Sequence, residues 1–303
     1  MRTVTAGCSR GAFVRIRIWG ARASIPTPAT PEFCTARYGG NTTCLSVSVP
    51  GALAILDAGS GLRPLGLALD ALQPMRATFF FTHLHWDHIQ GFPFFAPLYR
   101  SGNRFDLYGS HAGVRGALQR ALSVQQDAVY FPVGLEQLPA ELSFHELLQE
   151  QAVVLEGNAS RLSIAPFALN HPGGCFGFRI DEQPREGRGA AVFFATDCEP
   201  PADDRPQLAE AARGASLLIH DAQYSPQEYA GQKGNERRGW GHSTWREALR
   251  EARVAGVERL LLTHHDPQHD DWEIARLESE ARVAGRKLGI DVRAAHEGME
   301  IDL

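Results

Sequence analysis

The sequence predicts an α/β fold in which mixed β-sheets are covered by helices, in place of one parallel sheet. Three observations carry this. Short apolar runs rich in Val, Leu, Ile and Phe dominate the 303-residue chain. They come first in blocks and alternate with helical stretches only later. Several of them end directly in a histidine or aspartate.

Taken in order, the expected strands are 13–19, 43–49, 52–56, 77–82, 104–108, 161–169, 175–180, 190–196, 215–219, 258–263 and 290–294. The expected helices are 111–122, 205–213, 243–255 and 271–285. The third has a clear start, because Ser243 or Thr244 can cap it and Glu247 follows Thr244 at capping-box spacing. Turn-rich patches fall at 21–42, 181–189 and 231–241. None is long enough to be a linker, so 1–303 reads as a single domain with a peripheral or disordered start at 1–12.

Composition narrows the function. An apolar fraction of 44% and a charged fraction of 21% support a real core. A net charge of −5 gives no sign of a general nucleic-acid-binding surface, so structured nucleic acid is not expected as a partner. A small anionic substrate is compatible with it, since a local metal charge outweighs the global balance. Five scattered cysteines without a CxxC pair argue against a disulfide framework or a zinc knot, and for free thiols. No run of 18 apolar residues occurs, and the first residues lack the apolar stretch of a secretory signal. The expectation is a cytoplasmic protein without membrane association.

The chemistry collects at strand ends. FFFT precedes His83, FALN precedes His171, VFFAT precedes Asp197, SLLI precedes His220 and Asp221, and RLLLT precedes His264 and His265. A lone histidine there is more often a hydrogen-bonded structural residue, and a lone aspartate a turn or cap. Five coincidences in one chain favour ligands converging on one edge. In His83-Leu84-His85 the two imidazoles project to one side of an extended segment, and Asp87 and His88 follow in the turn. Imidazole and carboxylate suit zinc. Four such ligands so close together cannot all surround one tetrahedral ion, which points to two metals.

The pattern HxHxDH, here His83, His85, Asp87 and His88, resembles the metallo-β-lactamase superfamily. Asp57 in LDAGSG resembles its strand-ending aspartate. His171 in NHPGG and Asp197 in FFATD look like its third and fourth motifs. GHST at 241–244 and LLTHH at 261–265 are similar to the tail shared by ribonuclease Z and its phosphodiesterase relatives. The resemblance implies a four-layer αβ/βα sandwich and two divalent ions, zinc with manganese or iron as alternatives. It implies one ion on His83, His85, His171 and Asp197. The other would take Asp87, His88, Asp197 and His264, with Asp197 bridging and His265 as the fallback for His264. His242 matches a histidine that contacts phosphate and acts as general acid. Asp57 and Asp221 are candidate orienting groups, and Asp221 reads equally well as a helix cap or a partner of a metal-bound histidine.

Two departures shape the expected function. His85 stands where the redox branch of the superfamily has Glu, which argues against electron transfer. Only 26 positions separate His171 from Asp197, too few for the tRNA-gripping arm of ribonuclease Z. The expectation is a binuclear hydrolase of small cyclic or nucleotide phosphodiesters, in which Asp87 orients the nucleophile and His242 protonates the leaving group. The alternative is a carboxylic ester, thioester or lactone hydrolase on the same metals, and a non-catalytic sensor comes third. The aromatic stretch 91–99 with Tyr130 and Phe131 either stacks on a nucleobase or belongs to the core. Segment 105–150 is expected to form a pocket wall or an oligomer contact, such as a homodimer interface.

Overall fold

The computed structural model describes residues 14–70, 74–111, 113–201 and 208–303. The expected start at 1–12 and residues 205–207 of one expected helix lie outside them. The first sheet holds β1 (Arg15–Gly20), β2 (Cys44–Val49), β3 (Ala52–Leu56), β4 (Arg76–Phe80), β5 (Arg104–Tyr108) and β6 (Glu141–His145). The second holds β7 (Val153–Glu156), β8 (Ser160–Leu169), β9 (Cys175–Pro184), β10 (Ala191–Ala195), β11 (Leu217–Asp221), β12 (Arg259–Thr263) and β13 (Asp291–Ala294). The last strand, β14 (Glu300–Asp302), returns to pair with β1 and makes the first sheet seven-stranded, like the second.

Each sheet is antiparallel on one side and parallel on the other. From β14 to β3 neighbours run antiparallel, and from β3 to β6 parallel. From β7 to β10 they run antiparallel, and from β10 to β13 parallel. The central parallel strands β4, β10, β11 and β12 are buried on both faces, which is why their sequences are largely apolar runs.

The side-chain period of two sorts these runs into layers. Phe80, Phe178, Phe194, Ile219 and Leu261 meet between the sheets. Their neighbours Phe79 and Phe81 face outward under Leu62, Leu65, Leu118 and Leu122. On the other side Phe193, Leu218, Leu260 and Leu262 face Trp245, Ala248, Leu249 and Ala281. The order of layers is therefore helix, sheet, sheet, helix, the expected four-layer sandwich.

The helices are α1 (Leu62–Leu69), α2 (Trp86–Ile89), α3 (Ala117–Gln125), α4 (Pro226–Tyr229), α5 (Trp245–Ala255) and α6 (Asp271–Arg286). In α5 the buried residues Trp245, Ala248, Leu249, Ala252 and Ala255 repeat at helical spacing and form one stripe. Burying a side chain such as Leu249 stabilises the layer by about 1.5–3 kcal/mol. Thr244 caps α5 by accepting from Arg246 N at 3.1 Å, and Gly256 ends it in the left-handed conformation at φ 70°.

Some elements differ from expectation. The helix expected at 111–122 starts only at Ala117, because His111 bridges to Val114 and Gly116 takes φ 71°. Residues 208–213 form turns without helix, ending at Gly214 with φ 71°. Strand β11 sits two residues later than expected, which puts His220 and Asp221 on the strand. Strands β6, β7 and β14 and helices α1, α2 and α4 had no expected counterpart. Among the described residues no helix is long and apolar enough to cross a membrane.

Candidate metal centre

Strand direction explains why the candidate ligands meet. β3 and β4 are parallel, so Asp57 and His83 leave one edge of the first sheet together. In the second sheet β8 opposes β9 and β9 opposes β10, so β8 and β10 point the same way. With β10, β11 and β12 parallel, His171, Asp197, Asp221 and His264 all reach one edge. Beyond β4 the chain stays extended to His85, and α2 then begins, so Asp87 and His88 are presented from its first turns.

The donor atoms cluster tightly. Those of His83, His85 and His171 lie within 4.8 Å of one another, as do those of His83, His88 and Asp197 and those of Asp87, His88 and His264. Asp197 stands between the groups. Its Oδ1 is 3.7 Å from His83 Nε2, and its Oδ2 is 3.2 Å from His88 Nε2 and 3.4 Å from His264 Nε2. Asp87 Oδ2 is 3.3 Å from His264 Nε2 and 3.4 Å from His88 Nε2. His171 Nε2 is 3.2 Å from His85 Nδ1.

The imidazoles are held from behind. His88 Nδ1 donates to Asp57 Oδ2 at 2.9 Å, and His171 Nδ1 donates to the Gly241 carbonyl at 3.0 Å. His83 Nδ1 lies 3.0 Å from the Thr82 hydroxyl, which itself donates to Asp57. His264 Nδ1 lies 3.4 Å from Asp221 Oδ2. Tying one ring nitrogen leaves the other aimed at the cluster, the arrangement expected of metal-binding histidines. The Nε2 atoms of His83 and His88 are buried without a hydrogen-bond partner.

Charge tells the same story. Asp57, Asp87, Asp197 and Asp221 are all buried. Burial alone would raise their carboxyls, and it does raise that of Asp57. For Asp87 and Asp197 the neighbouring His88 and His264 outweigh burial and hold both well below the ordinary carboxylate range. Burial would likewise lower His264, but Asp197, Asp221 and Asp87 lift it to about 10. Burial keeps His83, His85 and His171 low, hence neutral and ready to donate lone pairs. Buried carboxylates in this number call for positive charge at their centre, and divalent cations fit this donor set.

Backbone strain accumulates at the same place. Asp57, Asp197 and His264 adopt φ of 60°, 52° and 61°. The left-handed region costs a residue with a side chain on the order of 1–3 kcal/mol. Here it turns each side chain back over its sheet edge.

His242 stands beside the cluster. Its Nδ1 donates to Asp221 Oδ2 at 2.9 Å, and its ring stacks on His264 at 5.1 Å. Asp221 also accepts from Ser243 N and Asp197 N, so one buried carboxylate ties three parts of the site. The loop before His242 is fastened by Glu199, which accepts from Gly239 N at 2.7 Å, Gly241 N at 2.9 Å and the Tyr229 hydroxyl at 2.8 Å.

The structure thus brings together His83, His85, Asp87, His88, His171, Asp197, His242 and His264, with Asp57 and Asp221 behind them. His265 turns away: its Nε2 donates to the Ala295 carbonyl at 2.9 Å, and burial pushes it down to about 3. His220 also faces elsewhere, with Nδ1 on the Asp221 carbonyl and Nε2 near Cys198 Sγ. Sequence reasoning missed Ser24, whose amide donates to Asp87 Oδ2 at 2.7 Å, and also Thr82, Glu199 and the Gly241 carbonyl. Only Gly241, directly before His242, carried a local signal. The aromatic stretch 91–99 divides, with Phe92 and Phe95 in the core and Phe94 at the surface against Phe131.

A family model described as a beta-lactamase superfamily domain matches residues 54–265, more than half the chain and nearly all of this site. The chain belongs to the metallo-β-lactamase superfamily. Within it, the chain is 27% identical over 283 residues to ribonuclease Z of Methanothermobacter thermautotrophicus, covering 77% of this chain and 84% of that one. The metallo-β-lactamase fold protein YhfI from Bacillus subtilis superposes with a TM-score of 0.69 at 19% identity, covering 97% of this chain and all, 100%, of that one. A diphosphatase of the PhnP family superposes with a TM-score of 0.65 at 18% identity, covering 96% and 98%. The two superpositions establish a shared fold over almost the whole chain. The metallo-β-lactamase fold implies divalent-metal binding, and the His and Asp groups above are its candidate ligands.

Proposed function

We propose that this metal-dependent hydrolase is a phosphodiesterase for small diesters that works with two zinc ions. His83, His85, His171 and Asp197 would hold one ion, and Asp87, His88, Asp197 and His264 the other. The bound pair supplies a nucleophile at neutral pH and positive charge for the phosphoryl oxygens. Ligand positions running from 83 to 264 and drawn from both sheets support reading the chain as one catalytic domain.

The observation that carries the phosphodiester reading is the His242–Asp221 pair at the rim of the cluster, 2.9 Å from Nδ1 to Oδ2. With Nδ1 engaged, Nε2 is the atom left to hold a proton and deliver it to a departing alkoxide. A sugar or alkyl alkoxide needs that proton, whereas a carbonyl substrate polarised by metal would not need a second histidine here. Asp87, fixed by the Ser24 amide, orients the attacking water. The name of the ribonuclease Z relative points to the same bond type. The net charge of −5 and the short interval between His171 and Asp197 support a small substrate over structured RNA. Free cysteines at Cys34, Cys44, Cys175 and Cys198 suit a reducing compartment, and we place the protein in the cytoplasm.

The test combines metal analysis with a panel of cyclic nucleotides, bis(p-nitrophenyl) phosphate, lactones and precursor tRNA. His242→Ala should slow a diester with an alkoxide leaving group by roughly 10²–10⁴-fold and a nitrophenyl diester far less, at unchanged metal content. Equal losses on both, faster turnover of a lactone, or efficient tRNA processing would each defeat the proposal.

A further inference from the structure

Beside the metal centre lies an apolar groove that the reaction as described does not use. It encloses about 1030 Å³ between α2, the turn around Pro93 and Phe94, α3 and residues 129–131. This is at the upper end of the volumes typical of small-molecule sites. Its apolar groups are unusually open to solvent: Trp86 is 59% exposed, Tyr130 72% and Val129 81%. Exposed large apolar groups gathered in one concave place mark a binding surface.

The groove borders the ligand cluster, although none of the ligand residues lines it. Leu84 and Trp86, the residues on either side of His85, both line it. His111 lines it too, and a Cβ placed on Gly173 would fall 3.5 Å from that ring and 4.0 Å from His85 Nε2. One polar cation, Arg120, is set among the apolar walls. A ligand whose phosphate reached the His85 side of the centre would therefore lay one ester substituent along these walls.

We propose that the groove is the subsite for an apolar ester group of the substrate, so that the preferred phosphodiesters carry an aromatic or alkyl substituent on one side. The inference rests on the phosphodiesterase reading and narrows its substrate class. Phe94 and Phe131, packed edge to face at 5.6 Å, form one wall against which a flat ring can lie. Val124 on α3 also lines the groove, and no carboxylate is among the lining residues.

The test uses p-nitrophenyl phosphodiesters that share one leaving group and differ in the other ester: methyl, hexyl and phenyl. The zinc-loaded full chain should show kcat/KM rising by at least about tenfold from methyl to hexyl or phenyl, mostly through KM. Val124→Asp should bring that ratio to about one, and Val124→Leu should keep it, with metal content confirming that both variants fold. Anilinonaphthalene sulfonate, an aromatic anion, should bind the wild type with one site and be displaced by hexyl phosphate. This readout needs no turnover. If no diester is hydrolysed but the dye binds and Val124→Asp abolishes its binding, the phosphodiester reading fails and the subsite stands. A flat series with no dye binding overturns the subsite, as does a concentration-dependent dimer that Val129→Asp dissolves while the ester series stays flat.

Discussion

At the scale of single residues, the imidazoles of His83, His88, His171 and His242 are each fixed on one side by a hydrogen bond. Gly241 shows how little room this leaves. It sits at φ 88°, its carbonyl takes the His171 Nδ1 proton, and a Cβ there would lie 2.2 Å from that same nitrogen. Neither the ring nor the loop can retreat easily, since Glu199 pins the Gly241 amide. Gly241→Ala should therefore swing His171 out of register and weaken zinc binding at its group by roughly 10–100-fold, the usual cost of losing a ligand's supporting hydrogen bond. Zinc titration against a chromogenic chelator reads this directly, and unchanged affinity would remove the Gly241 carbonyl from the site. The Ser24 amide on Asp87 is a supporting contact of the same kind.

At the scale of elements, α4 illustrates how a short helix is made to hold its place. Four residues cannot support themselves, because helix nucleation is costly. Ser225 and Glu228 form a capping box: Glu228 N donates to Ser225 Oγ at 3.3 Å, and Ser225 N donates to Glu228 Oε2 at 2.8 Å. His269, ahead of α6, donates to the same carboxylate at 3.0 Å. Burial opposes ionisation of Glu228, but the bonds from His269 and Ser225 outweigh it and hold the carboxyl down at about 2, against 4.5 unperturbed. A folded value below the unfolded one means that the stabilisation is complete above pH 4.5 and is lost as pH falls towards 2. Glu228→Gln should cost about 1 kcal/mol at pH 7, a figure kept small by partial exposure to solvent. Urea midpoints of the two proteins should converge from pH 5 downward. A gap that stays constant over that range would show that charge on Glu228 plays no part. The same helix carries Tyr229, so its placement also sets the Glu199 anchor of the His242 loop.

At the scale of the whole molecule, the cluster is a seam between the two sheets. His83, His85, Asp87 and His88 come from the first, and His171, Asp197 and His264 from the second. Metal bound there would cross-link the halves, and its removal leaves buried carboxylates facing one another. Linkage stabilises the folded state by about 4 kcal/mol when free metal exceeds the dissociation constant a thousandfold. Chelation should then lower Tm by roughly 6 °C, and added zinc should restore it. A calorimetric scan with and without chelator checks this; coincident transitions would mean that the apolar layer around Phe80, Phe178 and Phe194 holds the sheets together without metal.

The sequence by itself determined the class of mixed sheets covered by helices and the candidate ligands, because both are written locally. An apolar run buried on both faces reads as a strand, and a histidine or aspartate directly after it is carried to the sheet edge. His83, His171, Asp197 and His264 were legible for that reason, as were Thr244 as a helix cap and the α6 stretch. Tertiary structure alone decided between neighbours with identical local signals. His264 enters the cluster and His265 bonds to Ala295, because a positive φ at His264 turns only its own side chain inward. It also decided the contacts made by backbone atoms of distant segments. Ser24 to Asp87, Gly241 to His171 and Glu199 to the His242 loop involve groups that every residue carries, or partners dozens of positions away, so no local pattern announces them. The short edge strands β6, β7 and β14 escaped notice for a related reason. An edge strand is half exposed and weakly apolar, and its pairing is stabilised by a neighbouring strand that the local sequence does not name.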